Sequence, residues 1–424
     1  MVLLWRLEEL CQREDKVKLI ASHRRWFVVA AAAIGLGCGL ASIVAATFGV
    51  FVGPLRREFG WSQSDTFSAL LAVTFTAALL APVVGGFVDR FGARRVVLIG
   101  FLAEVVIFAS FRWQGPELWS FYLRYFLLAI LTLGTTHVAF ARVITLWFED
   151  RRGFALGLAL AGVGLGGFVW PIFSQTMIES FGWRDAYLFI AGAIAAIAMP
   201  VMWSWLIDKP QASTVKTDAG IADTVALAGV SLREATHAPL FWLMLATFFL
   251  IGLVVQSVTF HIVPLLTLRG FSPMVAAATQ SALFVAVTGG RLITGWLMDR
   301  FFAPRVALVF LLAPIAGIAL LGLGGDPRLA VLAAVLVGLA VGAEVDVLAY
   351  LTGRYFGPRH FSRIYGSCYG IYSLSGGVGP VLVSMVVERG GGYPAALALL
   401  AAVLAGCCLL LLRFPSFPTE LRRT

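Results

Sequence analysis

Twelve apolar runs, each long enough to cross a lipid bilayer, follow one another along the chain and limit what it can fold into. They lie at roughly 26–53, 64–88, 95–112, 118–147, 153–178, 186–207, 239–268, 273–298, 305–324, 328–353, 362–387 and 394–413. A transmembrane helix needs about 20 apolar residues. Soluble domains carry about 25% charged residues, whereas this chain has 13%. The sequence therefore predicts an all-α, multi-pass integral membrane protein with twelve transmembrane helices.

One long polar connection divides the runs into two groups of six. It contains KPQASTVKTDAG, followed by a candidate surface helix around SLREATHAP. We therefore expect an N-terminal six-helix bundle at 1–207, a cytoplasmic linker at 208–237 and a C-terminal six-helix bundle at 238–424. Two pseudo-symmetric halves of this kind are typical of a transporter that rocks about a site near the bilayer midplane.

The distribution of basic residues predicts the orientation. The segment before the first run and the loops after even-numbered runs contain Arg6, Arg13, Lys16, Lys18, Arg24, Arg25, Arg90, Arg94, Arg95, Arg151, Arg152, Lys209, Lys216, Arg233, Arg300, Arg305, Arg354, Arg359 and Arg363. The other loops contain fewer. Because cytoplasmic loops are enriched in Lys and Arg, both termini are expected in the cytoplasm. The net charge of +9 is explained in this way, and no nucleic-acid partner is expected.

A charged motif occurs twice in corresponding places. GGFVDRFGARR covers 85–95 and TGWLMDRFFAPR covers 294–305, and Asp89 and Asp299 are 299 − 89 = 210 residues apart, half the chain. The first copy has the pattern Gly85-x-x-x-Asp89-Arg90-x-Gly92-x-Arg94-Arg95, and the second retains Gly295, Asp299 and Arg300.

This motif resembles the loop between helices two and three of the major facilitator superfamily. Within that superfamily, the chain is similar to the bacterial monocarboxylate-porter and oxalate/formate-exchanger branch, through FGVFVGPLRREFGWSQS, WFEDRRGFALG, HIVPLLTLRGFSP and GGRLITG. The resemblance implies the twelve-helix major facilitator fold and transport of a small organic anion, with a monocarboxylate favoured, by alternating access. A monomer in the bacterial inner membrane is also expected. Proton coupling is not carried over from the family, because this chain lacks the family's coupling residues; it is expected instead from the acids of helix ten.

In the resembling family the motif is a conformational gate. Asp89 is expected to meet the positive N-terminus of helix eleven, which begins near His360. Arg90, Gly92, Arg94 and Arg95 complete the gate, and Gly85 permits close helix packing. The second gate, at Asp299 and Arg300, is expected to be weaker because Phe302 replaces the glycine and Pro304 breaks the loop. The alternative is that these charges only set the topology.

Once loops, tails and run ends are set aside, two arginines remain deep inside apolar runs, where a charge is costly and normally faces a partner or a water-filled cavity. Arg291 lies about 12 Å from the end of helix eight. In the resembling family an arginine at this place binds the substrate carboxylate, and its planar fork suits that role. Arg142 lies about 9 Å from the end of helix four. It is a candidate for substrate binding or gating, or it extends to the membrane surface.

Three acids are also inside apolar runs. Glu344 and Asp346 on helix ten point roughly 200° apart, so only one can face a cavity squarely. Burial favours the protonated acid and a nearby arginine favours the carboxylate, a balance that suits proton coupling. We expect at least one of them to carry a proton. Glu104, on the peripheral helix three, is expected to form a structural ion pair.

Other polar residues in the runs are weaker candidates. His261, before Pro264, is a candidate ligand for substrate or proton, whereas His137 is expected to bond to a neighbour. Tyr350, Tyr369 and Tyr372 could donate hydrogen bonds to a substrate or simply pack; we take Tyr350 and Tyr369 as candidate binding residues.

The chain departs from the resembling family in ways that affect coupling. Val287 stands where the animal porters place an aspartate, no basic residue lies between Trp26 and Gly53, and helix eleven has no lysine. A monoanion is therefore favoured over a dianion, although Arg142 could supply a second cation. Alternatives are an exporter of a drug or another metabolite, a membrane-embedded enzyme, and a transporter-like sensor. Trp170 before Pro171 departs from the drug-antiporter signature, and HExxH and GxSxG do not occur. No cofactor, metal or ATP site is expected.

Overall fold

A computed structural model describes residues 24–148, 152–207, 230–298, 300–357 and 360–417. The side chains at 81–86, 89, 133, 138, 145–146, 152–154 and 361–362 lie outside that description. Within the described ranges the chain is helical and contains no strand. The linker at 208–229 and both chain ends also lie outside, so the predicted domain limits stay predictions.

Twelve long helices are formed by the described residues, as predicted. They are α1 Arg24–Phe59, α2 Gln63–Phe91, α3 Ala93–Ser110, α4 in two segments Leu118–Leu131 and His137–Trp147, α5 Arg152–Phe181, α6 Trp183–Trp205, α7 Pro239–Leu268, α8 Pro273–Met298, α9 Ala303–Leu323, α10 Pro327–Phe356, α11 Phe361–Val386 and α12 Gly392–Leu411. A short helix, Leu232–His237, precedes α7. Its Ser231–Glu234 capping box confirms the helix expected around SLREATHAP.

The surface of this bundle suits a membrane. Among the described residues, nine helical ranges are long and apolar enough to cross one, and the range Arg363–Leu411 contains both α11 and α12. Large apolar side chains in the middle of helices are exposed, including Ile99 at 66% and Val309 at 61%. An apolar exterior of this extent marks contact with lipid or another apolar partner.

Two helices of the N-terminal half are interrupted, and the interruptions touch. Gly39 in α1 has extended backbone angles, φ −80° and ψ 161°. The two segments of α4 are joined by a tight turn at Leu133–Thr135. The backbone N–H of Leu40 donates to Thr135 Oγ1 at 3.4 Å. Irregular backbone at membrane depth is tolerated where it is buried in protein, and here the two breaks cover one another.

Close packing of α8 on α10 fixes the central part of the C-terminal half. A Cβ atom at Gly290 would collide with the backbone of Leu339, and one at Gly342 with the backbone of Val287. Small residues allow such approach between membrane helices. Because Gly290 precedes Arg291, this packing brings Arg291 beside α10.

The two halves meet along α2 with α11 and along α5 with α8. Ser64 donates to Glu388 through its backbone N–H at 2.9 Å and through Oγ at 2.6 Å. Gly377 of α11 packs on Leu70, Leu71 and Thr74 of α2. The Ser64–Glu388 contact lies at the end of the bundle that the loop charges predict to face outward, which we call the predicted outer end.

Candidate functional site

An ion pair joins α8 and α10 in the C-terminal half. Arg291 Nε lies 3.1 Å from Asp346 Oδ2, and the two side chains are 25% and 30% exposed. The Nε–H does not point at an acceptor, so the contact is electrostatic and lacks an aligned hydrogen bond. The sequence predicted that one helix-ten acid would face a cavity, and Asp346 is the one that remains open to solvent.

The terminal nitrogens Nη1 and Nη2 of Arg291 belong to a side chain that is partly open to solvent. In the described part of the chain, Nη1 and Nη2 make no hydrogen bond to protein. They are also not buried, unlike Nε. Asp346 therefore holds the guanidinium at Nε and leaves its terminal edge accessible. That edge has the fork geometry that binds a carboxylate through two N–H groups.

Glu344 faces the opposite way and is buried, with 4% exposure. Its Oε1 accepts a hydrogen bond from Tyr372 Oη on α11, while Oε2 has no partner among the described residues. Gln256 Nε2 of α7 donates to the same Tyr372 oxygen at 3.3 Å. Glu344 thus belongs to a closed polar cluster that ties α7, α10 and α11 together.

The other half of the molecule contributes His137 to the space near Arg291. The ring of His137 lies edge-on to Tyr369 of α11, with centroids 5.6 Å apart, and is within electrostatic range of Arg291. Tyr369 also lies 5.8 Å from the rings of Tyr365 and Tyr372. His137 is exposed and makes no hydrogen bond within the described residues, contrary to the expectation that it would bond to a neighbour. It is a site candidate that sequence reasoning undervalued; its place just after the TLGTT break of α4 was the available signal.

His261 is buried elsewhere, toward the predicted outer end. Its Nε2 lies 2.9 Å from Pro380 O, and its Nδ1 lies 3.0 Å from both Gln63 Nε2 and Tyr393 Oη. Because a carbonyl oxygen only accepts, Nε2 carries the hydrogen and Nδ1 accepts. Its ring also stacks on Phe67 at 4.2 Å. No described contact links His261 to Arg291, so its suggested role as a substrate or proton ligand stays a prediction.

Arg142 and Tyr350 also lie apart from the ion pair in their described contacts. Arg142 Nη1 donates to Val88 O at 2.9 Å, connecting α4 to the end of α2. The Tyr350 ring lies 6.4 Å from Phe417 in the segment after α12. The suggested roles of Arg142 and Tyr350 in substrate binding stay predictions.

The gate motif is described only in part. Gly92 ends α2 with φ 83°, and Arg90 lies over the Phe91 ring. Arg94 donates to Trp203 O and lies 5.1 Å from the Trp203 ring, which ties the loop to α6. Arg300 contacts its own neighbour, Trp296, at 3.1 Å. Arg95 is exposed. Asp299, the surroundings of Gly85 and the side chain of Asp89 lie outside the described residues, so the gate itself stays a prediction.

Comparison with known proteins settles the family. The sequence model of the Major Facilitator Superfamily matches residues 34–366. The chain belongs to the Major Facilitator Superfamily. Like the other members, it is a multi-pass membrane transporter of small solutes and not an enzyme.

Individual relatives of this superfamily member are distant but extensive. Monocarboxylate transporter 11 of Homo sapiens is 28% identical over 388 residues, which cover 88% of this chain and 79% of that protein. Monocarboxylate transporter 13 of Rattus norvegicus is 26% identical over 379 residues, covering 88% and 85%.

Two solved structures share the fold of this transporter. A bacterial homologue of the human lysosomal transporter Spinster, inward-facing and occupied, matches with a TM-score of 0.68 and 16% identity over 92% of this chain and 96% of that one. A nucleoside transporter matches with a TM-score of 0.75 and 14% identity, covering 92% and 99%. The predicted major facilitator fold is thereby confirmed.

Proposed function

We propose that this transporter moves a small monocarboxylate together with a proton across the bacterial plasma membrane, with both chain termini in the cytoplasm. The observation that carries the proposal is the exposed terminal edge of Arg291, whose Nε lies 3.1 Å from Asp346 Oδ2. The names of the relatives support the substrate class: monocarboxylate transporters 11 and 13 align along most of this chain.

The ion pair explains why anion and proton would travel together. Arg291 and Asp346 neutralise one another before substrate arrives. An incoming carboxylate would leave two negative groups around one positive charge, and uncompensated buried charge costs several kcal/mol. Protonation of Asp346 removes the excess charge, so the anion and the proton enter as a neutral pair. The same charge balance favours a monoanion over a dianion.

His137 offers the contact from the N-terminal half. A carboxylate held by Arg291 would lie near the ring of His137, which already packs against Tyr369. Binding would then connect the two halves around a central site, as alternating access requires. Contacts at the predicted outer end, including Gln63 with His261 at 3.0 Å, close that side, which supports solvent access from the opposite end.

Uptake by the purified protein in proteoliposomes tests the proposal. Radiolabelled monocarboxylates, dicarboxylates, nucleosides and amino acids are offered with the pH gradient directed inward, directed outward or absent. We expect accumulation of at least one monocarboxylate that follows the proton gradient and is lost in Arg291→Ala. Transport only of neutral or dianionic solutes, or monocarboxylate uptake independent of the pH gradient, would contradict it.

A further inference from the structure

Glu104 in α3 is a buried carboxyl group without a partner. It is fully buried, and neither Oε1 nor Oε2 makes a hydrogen bond in the described part of the chain. No described arginine, lysine or histidine forms an ion pair with it, so the structural ion pair expected from the sequence is wrong. A single carboxylate in such surroundings must be neutralised, because an isolated buried charge is very costly.

The carboxyl group lies at the junction of the two interrupted helices. Glu104 is within electrostatic range of Cys38, next to the break in α1. It is also close to Thr135 in the break of α4. Thr135 Oγ1 donates its own hydrogen to Thr132 O at 2.9 Å, which leaves its oxygen lone pairs available. Glu104 therefore shares this junction with the hydroxyl group of Thr135.

Other oxygen atoms converge on the same junction. A Cβ atom at Gly39 would come within 2.7 Å of Thr135 O, 3.1 Å of Gly35 O and 3.5 Å of Thr135 Oγ1. Glycine at this position therefore lets the backbone oxygens of the two breaks approach one another closely. In transporters, the backbone carbonyls of unwound helices at membrane depth coordinate monovalent cations.

We propose that Glu104 and the oxygen atoms of the Gly39 and Thr135 breaks bind Na⁺. The charge of one carboxylate balances one monovalent cation, and oxygen ligands suit a hard ion. A divalent cation would leave one positive charge that a single carboxylate does not balance. The site is in the N-terminal half, and it goes beyond the proposed transport of a monocarboxylate with a proton.

The proposed Na⁺ site is connected through α4 to His137 near the proposed substrate site. The second segment of α4 starts at His137, two residues after Thr135. Na⁺ at the junction would fix the break in α4 and thereby the direction in which His137 points. Na⁺ bound at this junction is expected to raise the affinity for substrate. The Na⁺ ion does not bind at the Arg291–Asp346 ion pair.

Binding measurements on the purified full chain in lipid nanodiscs test the inference without any substrate. We expect saturable ²²Na⁺ binding by the parent protein, and thermal stabilisation by NaCl that KCl and choline chloride do not reproduce. Glu104→Gln should lower the affinity for Na⁺ at least about tenfold, equivalent to about 1.4 kcal/mol. Thr135→Val, which removes one oxygen and keeps the side-chain shape, should weaken binding to a smaller extent. The matched control is Glu344→Gln, which alters the buried carboxyl group of the other half and should bind Na⁺ like the parent.

Three results would overturn the inference. These are absence of Na⁺-specific binding or stabilisation in the parent, unchanged Na⁺ affinity in Glu104→Gln, and stabilisation by acid alone with no dependence on Na⁺. The last result would identify Glu104 as a permanently protonated acid. If Glu104→Gln does not fold, the comparison of NaCl, KCl and choline chloride on the parent and on Thr135→Val tests the inference instead. Failure of proton-driven monocarboxylate uptake would contradict the proposed function and leave this site untouched.

Discussion

Gln63 of α2 and His261 of α7 are joined across the two halves by a 3.0 Å hydrogen bond. Gln63 Nε2 also lies 2.7 Å from Tyr393 Oη of α12, so one amide connects the N-terminal half to two helices of the C-terminal half. The contact is buried, and a polar group left without its partner there costs about 1–3 kcal/mol. This cluster is a physical basis for closure of the predicted outer end.

Gln63→Leu should open that end. The substitution keeps the side-chain volume approximately and removes the bonds to His261 and Tyr393. A change of about 1–3 kcal/mol would shift the closed-to-open ratio by roughly 5- to 150-fold. Distances between spin labels at Glu117 and Asp326, on opposite halves, should lengthen. Gln175→Leu is the control, because among the described residues Gln175 bonds to Glu179 of its own helix. Equal distances in the two variants would contradict the gate.

Arg291→Lys should weaken substrate binding although it keeps the positive charge. Lysine lacks the planar fork, so one of two charge-assisted hydrogen bonds is lost. Such a bond contributes about 1.5–3 kcal/mol, and the apparent KM for uptake should rise roughly tenfold or more. Arg328→Lys, at an exposed position near the start of α10, is the control for replacing arginine by lysine at a position outside the site. An unchanged KM in Arg291→Lys would remove Arg291 from the binding site.

Tyr372→Phe should destabilise the C-terminal half. It deprives Glu344 Oε1 of its only described hydrogen-bond donor in a buried cluster, at a cost of about 1–3 kcal/mol. Glu344→Gln retains an acceptor for Tyr372 and should cost less. Apparent melting temperatures in detergent measure both effects, with Tyr350→Phe as the tyrosine control. If Tyr372→Phe melts like Tyr350→Phe, the cluster contributes nothing to stability.

Asp89→Asn should lower the maximal transport rate more than the substrate affinity. The neutral amide interacts less with the N-terminus of α11, so the balance between the two open states shifts while the binding site is unaltered. Initial uptake rates over a range of substrate concentrations separate the two parameters. A normal maximal rate at normal expression would reduce the motif to a topology signal.

The sequence was sufficient to predict the transmembrane helices, but not to predict which side chains on different helices contact one another. Apolar length predicted twelve spans within a few residues, because the bilayer fixes how long an apolar run must be. Helical geometry separated Glu344 from Asp346 in direction. It could not assign Asp346 to Arg291 or Glu344 to Tyr372, since both pairs depend on the packing of α8, α10 and α11.

The helix interruptions mark a second limit of sequence reasoning. Gly39 and the TLGTT stretch at 132–136 lie inside runs long enough to span the bilayer, and glycine is common in membrane helices that continue without a break. The unpaired state of Glu104 likewise depends on which side chains surround it in space. A periodic pattern gives the direction of a side chain on its own helix, and it carries no information about a neighbour that is distant in sequence.

The central claim is that Asp346 carries the coupled proton beside the arginine that binds the anion. Asparagine at this position mimics the protonated acid but cannot exchange a proton. In proteoliposomes, Asp346→Asn should therefore retain substrate counterflow and lose accumulation driven by a pH gradient, whereas Glu344→Gln should retain both. Accumulation by Asp346→Asn under a proton gradient at the level of the parent protein would contradict the account.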